Sequence, residues 1–384
     1  MLTLGGRVIH IQKHPTTRQL LSLSTDANLP GPLRKNKAFL AKGDSPLPRG
    51  FKHYLVFGQD PQGLDADAPC TLLEDSFRYL DNGDVLALSI DGRVRVLFRA
   101  NSHHNSLLLT EQCNNYCLMC SQPPKRVDDS WLLHEAMEAV RLLPRDTQSL
   151  GITGGEPTLF GDGFIKLLRH MKSWLPHTAV HVLSNGRTFA DINFARSYAA
   201  VEHPDLMVGI PVYSADPGRH DYVVQAKGAF DETIRGILNL KRLNQKVEIR
   251  VVLHKQTVEG LPLLAEYIAR NLLFVDHVAL MGLEITGFTR ANLDALWIDP
   301  IDYKDQLSGA VRILSTYGIN TSVYNHPLCL VNQDVEPHYV KSISDWKNEY
   351  AEECVSCGRK SDCGGFFSSG IAHKYSTSLK PFTP

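Results

Sequence analysis

From about residue 105 the chain alternates short apolar runs with longer stretches whose apolar positions recur every three or four residues. SLLLTEQC (106–113), SLGITGG (149–155), AVHVLSNG (179–186), LMVGIPVYS (206–214), VEIRVVLHK (247–255) and VDHVALMGLEI (275–285) read as strands. WLLHEAMEAVRLL (131–143), FIKLLRHMKSWL (164–175), NFARSYAAV (193–201), FDETIRGILNLKRL (230–243), LPLLAEYIARNL (261–272) and YKDQLSGAVRILSTYG (303–318) follow them with helical periodicity, and NTSVYNHPL (320–328) closes the run. Strands alternating with amphipathic helices predict parallel βαβ units, and near-continuous apolar strands are expected where both faces of a sheet are covered. Six such units fall short of an eight-fold barrel, so on pattern alone a partial barrel and an open doubly wound sheet both stand. Either places function at the carboxyl ends of the strands.

The first hundred residues have a different rhythm. HYLVFG (53–58), DVLALSI (84–90) and RVRVLFR (93–99) are short and β-rich, and Asp91-Gly92 between two apolar runs is a hairpin signal. Residues 27–50, with four prolines and several basic residues, read as loop. The expected organisation is a small β-rich domain (1–104), a βα core (105–320) and a cysteine-rich extension (321–384).

Composition narrows the function. Forty Lys and Arg against forty-one Asp and Glu leave a formal charge of −1, without the strongly basic balance of a nucleic-acid binder. No apolar run approaches the ~20 residues of a membrane helix. The amino terminus, MLTLGGRVIHIQKH, lacks a charged start followed by a long apolar stretch. Eight cysteines are too sparse for a disulfide scaffold and are clustered, which reads as metal ligation in a reducing cytoplasm.

Cys113, Cys117 and Cys120 follow the first strand at C-x3-C-x2-C spacing. Three thiolates from one loop leave one metal position open, whereas a structural zinc site is closed by four ligands and an iron–sulfur cube is usually held by four cysteines. A zinc knuckle borrowing a distant ligand is the plainer alternative. The second strand ends in Gly154-Gly155-Glu156-Pro157, where glycines would let a ligand approach the backbone and Glu156 could anchor an ammonium; an ordinary turn is the alternative.

CNNYCLMC and GGEP, at the rims of successive strands, resemble the radical S-adenosylmethionine (SAM) superfamily. The resemblance implies a partial (β/α)6 TIM-like barrel, a [4Fe–4S] cluster on Cys113, Cys117 and Cys120, and SAM chelating the open iron. It places Gly154, Gly155 and Glu156 at the methionine amino group. Ser184 and Asn185, with Ser214, would lie near the ribose and methionyl end. The backbone at Met119 would meet adenine, with Tyr116 compensating for an aromatic often found there. Arg250 is a candidate for the carboxylate. Ser184, Ser214 and Arg250 could equally be packing or turn residues.

Near the end, Cys354, Cys357 and Cys363 form C-x2-C-x5-C, with Cys329 a plausible fourth sulfur. Four thiolates could close a zinc site. The core also looks like the auxiliary-cluster (twitch-type) extension of radical SAM enzymes that act on peptides, which implies a second [4Fe–4S] cluster. Cys70 reads as a buried structural thiol, His103, His104 and His326 as surface or core histidines, and Phe366-Phe367 as packing.

Over roughly residues 50–370 the chain is similar to the His-Xaa-Ser system radical SAM maturases of the C type, on the strings DNGDVLALSIDGRVRVLFR, HNSLLLTEQCNNYCLMCSQPPK and CVSCGRKSDCGGFF. That resemblance implies a ribosomal precursor peptide with His-Xaa-Ser repeats as substrate. It also implies a second radical SAM maturase as partner and a low-potential electron donor. A radical SAM enzyme of a small metabolite, and a non-catalytic zinc-stapled interaction scaffold, are the competing expectations.

Overall fold

The computed structural model describes residues 4–12, 16–43, 47–58, 68–341 and 348–383. The amino-terminal unit is built from β1 (Gly5–Arg7), β2 (His10–Gln12), β3 (Gln19–Ser24), the single turn α1 (Gly31–Arg34), β4 (Ala38–Leu40), β5 (His53–Phe57), β6 (Cys70–Leu73), β7 (Val85–Leu88) and β8 (Arg93–Phe98). Among the described residues these strands form one sheet in the order β1-β8-β7-β3-β4-β5-β6-β2. Its two end strands are two residues apart in sequence, and Val8 and Ile9 between them bond to Gly92 and Leu72 on opposite flanks. The sheet therefore curls and closes on itself around Leu21, Leu23, Leu55, Phe77, Leu86 and Leu88.

The Asp91-Gly92 hairpin joins β7 and β8 as expected, with Gly92 at φ +76°. Residues 27–50 are not simply loop, because they hold α1 and β4. Ala38, Phe39 and Leu40 are a wholly buried triplet paired in parallel with both β3 and β5. Three apolar residues between lysines and prolines are too short a run to show as periodicity.

The second unit runs β9 (Ser106–Leu108), α2 (Trp131–Leu142), β10 (Ser149–Thr153), α3 (Asp162–Trp174), β11 (Ala179–Leu183), α4 (Ile192–Ala199), β12 (Leu206–Pro211), α5 (Pro217–Val224), α6 (Ala229–Arg242), β13 (Lys246–Leu253), α7 (Leu261–Asn271), β14 (His277–Gly282), the single turns α8 (Phe288–Ala291) and α9 (Leu293–Leu296), α10 (Pro300–Thr316) and β15 (Thr321–Tyr324), before α11 (Ser368–His373) in the tail. Every neighbouring pair is parallel, in the order β15-β14-β13-β12-β11-β10-β9. This is a partial (β/α) barrel. It has a seventh strand, β15, so the sheet runs past residue 320, where the core had been expected to end.

The strands are two-faced rather than continuously apolar. Leu150, Ile152, Val180, Val182, Val208, Ile210, Ile249 and Val278 pack outward into one core with α2, α3, α6, α7 and α10. The alternate positions, including Gly151, Thr153, His181, Gly209, Glu248, Arg250 and Ser322, fall on the other face. A barrel with this interior is not filled by aliphatic layers and leaves room for a ligand.

The two units share packing. Val85 and Phe98 join the core of the barrel. On α2 the buried Glu135 pairs with both Arg18 and Arg95, whose guanidinium groups lie 4.1 and 5.2 Å from the centre of the Trp131 ring. Among the described residues no helix is long and apolar enough to cross a membrane.

Candidate active site

The loop carrying Cys113, Cys117 and Cys120 leaves β9 at the carboxyl rim and is tied from three sides. Its entry is set by Asp129, 2% exposed, which accepts from the Thr110 hydroxyl (2.9 Å), the Glu111 amide and the Gln112 side chain (3.2 Å). The middle pairs with the end of α5 through Tyr116 N–H to Val224 (2.9 Å) and Leu118 N–H to Val223 (3.0 Å). The exit is held by the Phe288 amide on the Cys120 carbonyl (2.8 Å) and by Thr289 and Asn292 on the carbonyls of Met119 and Leu118. Met119 thus lines the barrel cavity, but its carbonyl already accepts from Thr289 (3.2 Å).

Gly154 and Gly155 are required by the chain itself. A Cβ on Gly154 would sit 2.6 Å from the Thr110 carbonyl, and one on Gly155 2.1 Å from that of Gln112. The amides of Gly155 and Glu156 donate to those same two carbonyls at 2.7 and 2.8 Å. The second rim turn is therefore welded to the start of the cysteine loop.

Glu156 turns inward from the same rim turn. Its carboxylate is fully buried and accepts from Thr158 N–H (3.0 Å), Thr158 Oγ1 (2.6 Å), Ser184 Oγ (2.9 Å) and Asn185 N–H (2.6 Å). With four donors from the chain it is a bracket between rim turns, not an exposed anchor for an ammonium. Burial, the larger effect, raises its pKa, and these hydrogen bonds pull against it. Asn185 extends the bracket to Asn114 Oδ1 (2.6 Å) and lies 3.9 Å from Cys113 Sγ. Arg187 closes it by donating to the Asn114 carbonyl and Asn115 Oδ1, both at 2.7 Å. Ser214 caps a turn, accepting from the Asp216 amide (3.1 Å).

Burial pushes Cys113 up to about 11 and raises Cys117 and Cys120; Cys113 also feels the charges of Glu156 and Cys120, and Cys117 those of Cys120 and Cys113. Tyr213, two residues beyond β12, is buried in a cluster with Met119 and Cys117, and its pKa rises through burial first and then through the charges of the loop cysteines. The sequence had pointed to its neighbour Ser214 instead.

Beneath the loop lies a cavity of about 470 Å³ lined by Met119, Ser121, Leu183, Arg250, Val252 and Met281 of the barrel and by Leu97, Phe98, Arg99 and His104 of the amino-terminal side. Arg250 donates to Glu248 (2.6 Å) and reaches Met281 Sδ (3.1 Å). Glu248 also bonds His277 Nδ1 (2.8 Å), whose Nε2 meets Ser322 (2.9 Å), with His181 3.5 Å away. Gly209 makes room for this network, since a Cβ there would lie 2.8 Å from Arg250 Cδ and 2.9 Å from His181 Nε2. Burial alone would raise Glu248; the His277 hydrogen bond with the charges of Arg250 and His181 outweighs it and brings it down to about 2.

A second pocket brings Cys329, Cys354, Cys357 and Cys363 together under Pro327, Phe366, Leu379, Pro381 and Phe382. Cys363 Sγ accepts from the amides of Leu328 (3.2 Å) and Gly365 (3.3 Å). A crevice between the two sites shares Gly282, Leu283, Glu284 and Asn325 with the barrel cavity and Pro327, Gly365 and Phe366 with the four-cysteine pocket. Phe366 also packs on Tyr375. Cys70 is buried among Phe39, Phe51, Tyr54 and Val56, and His326 is a core histidine held by Tyr303 and the Tyr324 carbonyl.

An open parallel barrel thus carries a three-thiol loop after its first strand and a bracketed glycine turn after its second. Residues 107–268, less than half of the chain, match the model of the Radical SAM superfamily. A probable GTP 3′,8-cyclase of Methanocella arvoryzae is 30% identical over 131 residues, which are 34% of this chain and 40% of that protein. The chain thus matches less than half the length of this curated relative. Among solved structures, Streptococcus suis SuiB bound to S-adenosylmethionine aligns at TM-score 0.47 and 16% identity, over 59% of this chain and 51% of SuiB. AnSMEcpe with bound AdoMet and the Cp18Cys peptide aligns at 0.43 and 18%, over 57% and 62%.

The superfamily implies a [4Fe–4S] cluster and SAM, and the residues present fit them. Three half-buried thiols on one loop are a cluster's soft donors with one position left over. Their raised pKa values mean that thiolates here need a cation beside them, which iron provides. Among the described residues no three Cys, His, Asp or Glu are drawn up tightly enough for a single ion.

Proposed function

We propose that this chain is a cytoplasmic radical SAM enzyme that modifies a ribosomally made peptide, with His-Xaa-Ser repeats as the target. The observation that carries the reading is a row of three spaces, the barrel cavity, the crevice and the four-cysteine pocket, in which each shares wall residues with the next. An extended substrate laid along the crevice would pass from one thiol site toward the other. When bound, the cluster and SAM supply reductive cleavage of a sulfonium and hydrogen abstraction from substrate.

The chain's own residues do the rest. Cys113, Cys117 and Cys120 hold the cluster. The backbone of Gly154–Glu156 and the Ser184–Asn185 turn, fixed by the Glu156 carboxylate, present a rigid seat for the methionine end of SAM. Arg250, steadied by Glu248, offers a cation inside the cavity for a carboxylate. Cys329, Cys354, Cys357 and Cys363 hold an auxiliary cluster with every position taken, suited to receiving an electron rather than binding substrate. A low-potential donor and a second radical SAM maturase are the expected partners.

A metabolite substrate is the second reading, favoured by the GTP cyclase relative. Anaerobic iron–sulfur reconstitution tests both. The wild type should carry about eight irons, and the Cys113→Ala/Cys117→Ala/Cys120→Ala variant about four. Dithionite and SAM should give 5′-deoxyadenosine from the wild type alone. A His-Xaa-Ser repeat peptide should raise its yield and change mass; stimulation by GTP instead would transfer the reading to a nucleotide. Zinc in place of iron, with no deoxyadenosine, would make the protein a scaffold.

A further inference from the structure

The outer face of the amino-terminal sheet carries a feature the chemistry above does not use. Arg7 on β1 stands directly opposite Arg93 on β8, and Gly5 opposite Arg95. Like charges facing each other across strands are destabilising, and a glycine within a strand weakens it. Gly6 is explained by packing, because a Cβ there would press on the Phe77 ring at 3.2 Å, whereas one on Gly5 would meet only the Val94 carbonyl at 3.5 Å. Gly5 therefore leaves a floor without a side chain between arginine walls.

Arg18 and Trp131 complete a groove of about 520 Å³ with Arg7, Arg93 and Arg95. Four guanidinium groups meet two carboxylates there, Asp91 on Arg93 and Glu135 shared by Arg18 and Arg95. Arg7 has no ion-pair partner among the described residues, and the Nε atoms of Arg18 and Arg95 are buried without acceptors. Burial and then the charge of Arg18 pull Arg95 down to about 10, against the charge of Glu111. Trp131 in the groove is 45% exposed, and Ile90, between the lining residues Ser89 and Asp91, is 55% exposed. Excess positive charge flanked by aliphatic and aromatic surface suits an acidic peptide with interspersed apolar residues.

We propose that this groove docks an acidic, extended segment of the peptide substrate, away from the reacting centre. The inference rests on the peptide reading and deepens it, by giving the amino-terminal barrel the task of holding the substrate.

The test uses the full-length protein and a fluorescein-labelled hexaglutamate peptide, read by anisotropy. Hexaglutamate should bind, hexalysine should not, and affinity should fall steeply with salt. Arg7→Glu/Arg93→Glu should weaken binding at least tenfold, and Arg7→Gln/Arg93→Gln less. Arg78→Glu, elsewhere on the same domain, should stay within twofold. Circular dichroism of each variant checks that the barrel is intact. Equal binding by the double glutamate variant, tighter binding of oligouridylate than of hexaglutamate, or full competition by inorganic phosphate would each overturn the proposal. Peptide binding does not depend on iron, so the two readings fail separately. A wild type that binds hexaglutamate but forms no deoxyadenosine loses the enzyme reading, and one that forms deoxyadenosine without binding loses the groove.

Discussion

Glu156 shows how one side chain organises the site without touching open space. Its four donors come from two rim turns, so Glu156→Ala orphans buried groups at about 1–3 kcal/mol each. Urea unfolding should register this loss, and Glu156→Gln, which keeps one acceptor, should lose less. Glu248 makes a prediction in pH. Its carboxylate is held near 2 against an ordinary 4.5, so it binds fewer protons folded than unfolded. That contribution is complete above about pH 4.5 and is lost as pH falls toward 2, amounting to roughly 3 kcal/mol. Acid-unfolding curves should show Glu248→Gln less stable at pH 6 and nearly level with the wild type near pH 2. The C-x3-C-x2-C spacing and the GGEP turn were legible in the sequence, because spacing is local. The use of Glu156 was not, since the hydroxyl of Ser184 and the amide of Asn185 reach it only through the fold.

Among the elements, the turn after β10 is the most constrained. Gly155→Ala would drive a Cβ into the Gln112 carbonyl and push this turn off the cysteine loop. The expected outcome is a folded protein by circular dichroism that retains less than half the iron of the triple-cysteine site after reconstitution. A variant with full iron there would show that the loop does not need the turn. The strands and helices of the barrel were legible because their apolar positions repeat. The polar interior was legible only in part: AVHVL, VEIRVVL and HVALMG carry His181, Glu248, Arg250 and His277 at alternate positions, a period-two signal inside runs that otherwise read as continuously apolar. β4 escaped because three residues cannot show a period.

For the whole molecule, the join between the units is concentrated on Glu135, buried between Arg18 and Arg95. Glu135→Ala leaves two partly buried arginines without their counter-charge, a loss of about 3–5 kcal/mol for a buried pair. Limited proteolysis should then cut faster near residues 99–105, while the wild type resists. That the amino-terminal unit walls the cavity was not visible in sequence; Leu97, Arg99 and His104 belong to the site only because β8 lies across the open side of the barrel.

The closure of the amino-terminal sheet has a consequence for handling the protein. One strand-length of chain, residues 5–12, covers both ends of that sheet. Deleting it would bare β8 and β6 together, each with a row of unpaired amides and carbonyls. A shortened chain, or a bulky fusion that pulls this segment away, would find its partner edges on other molecules, and should appear as swapped dimers and insoluble aggregates rather than as a monomer with a frayed end.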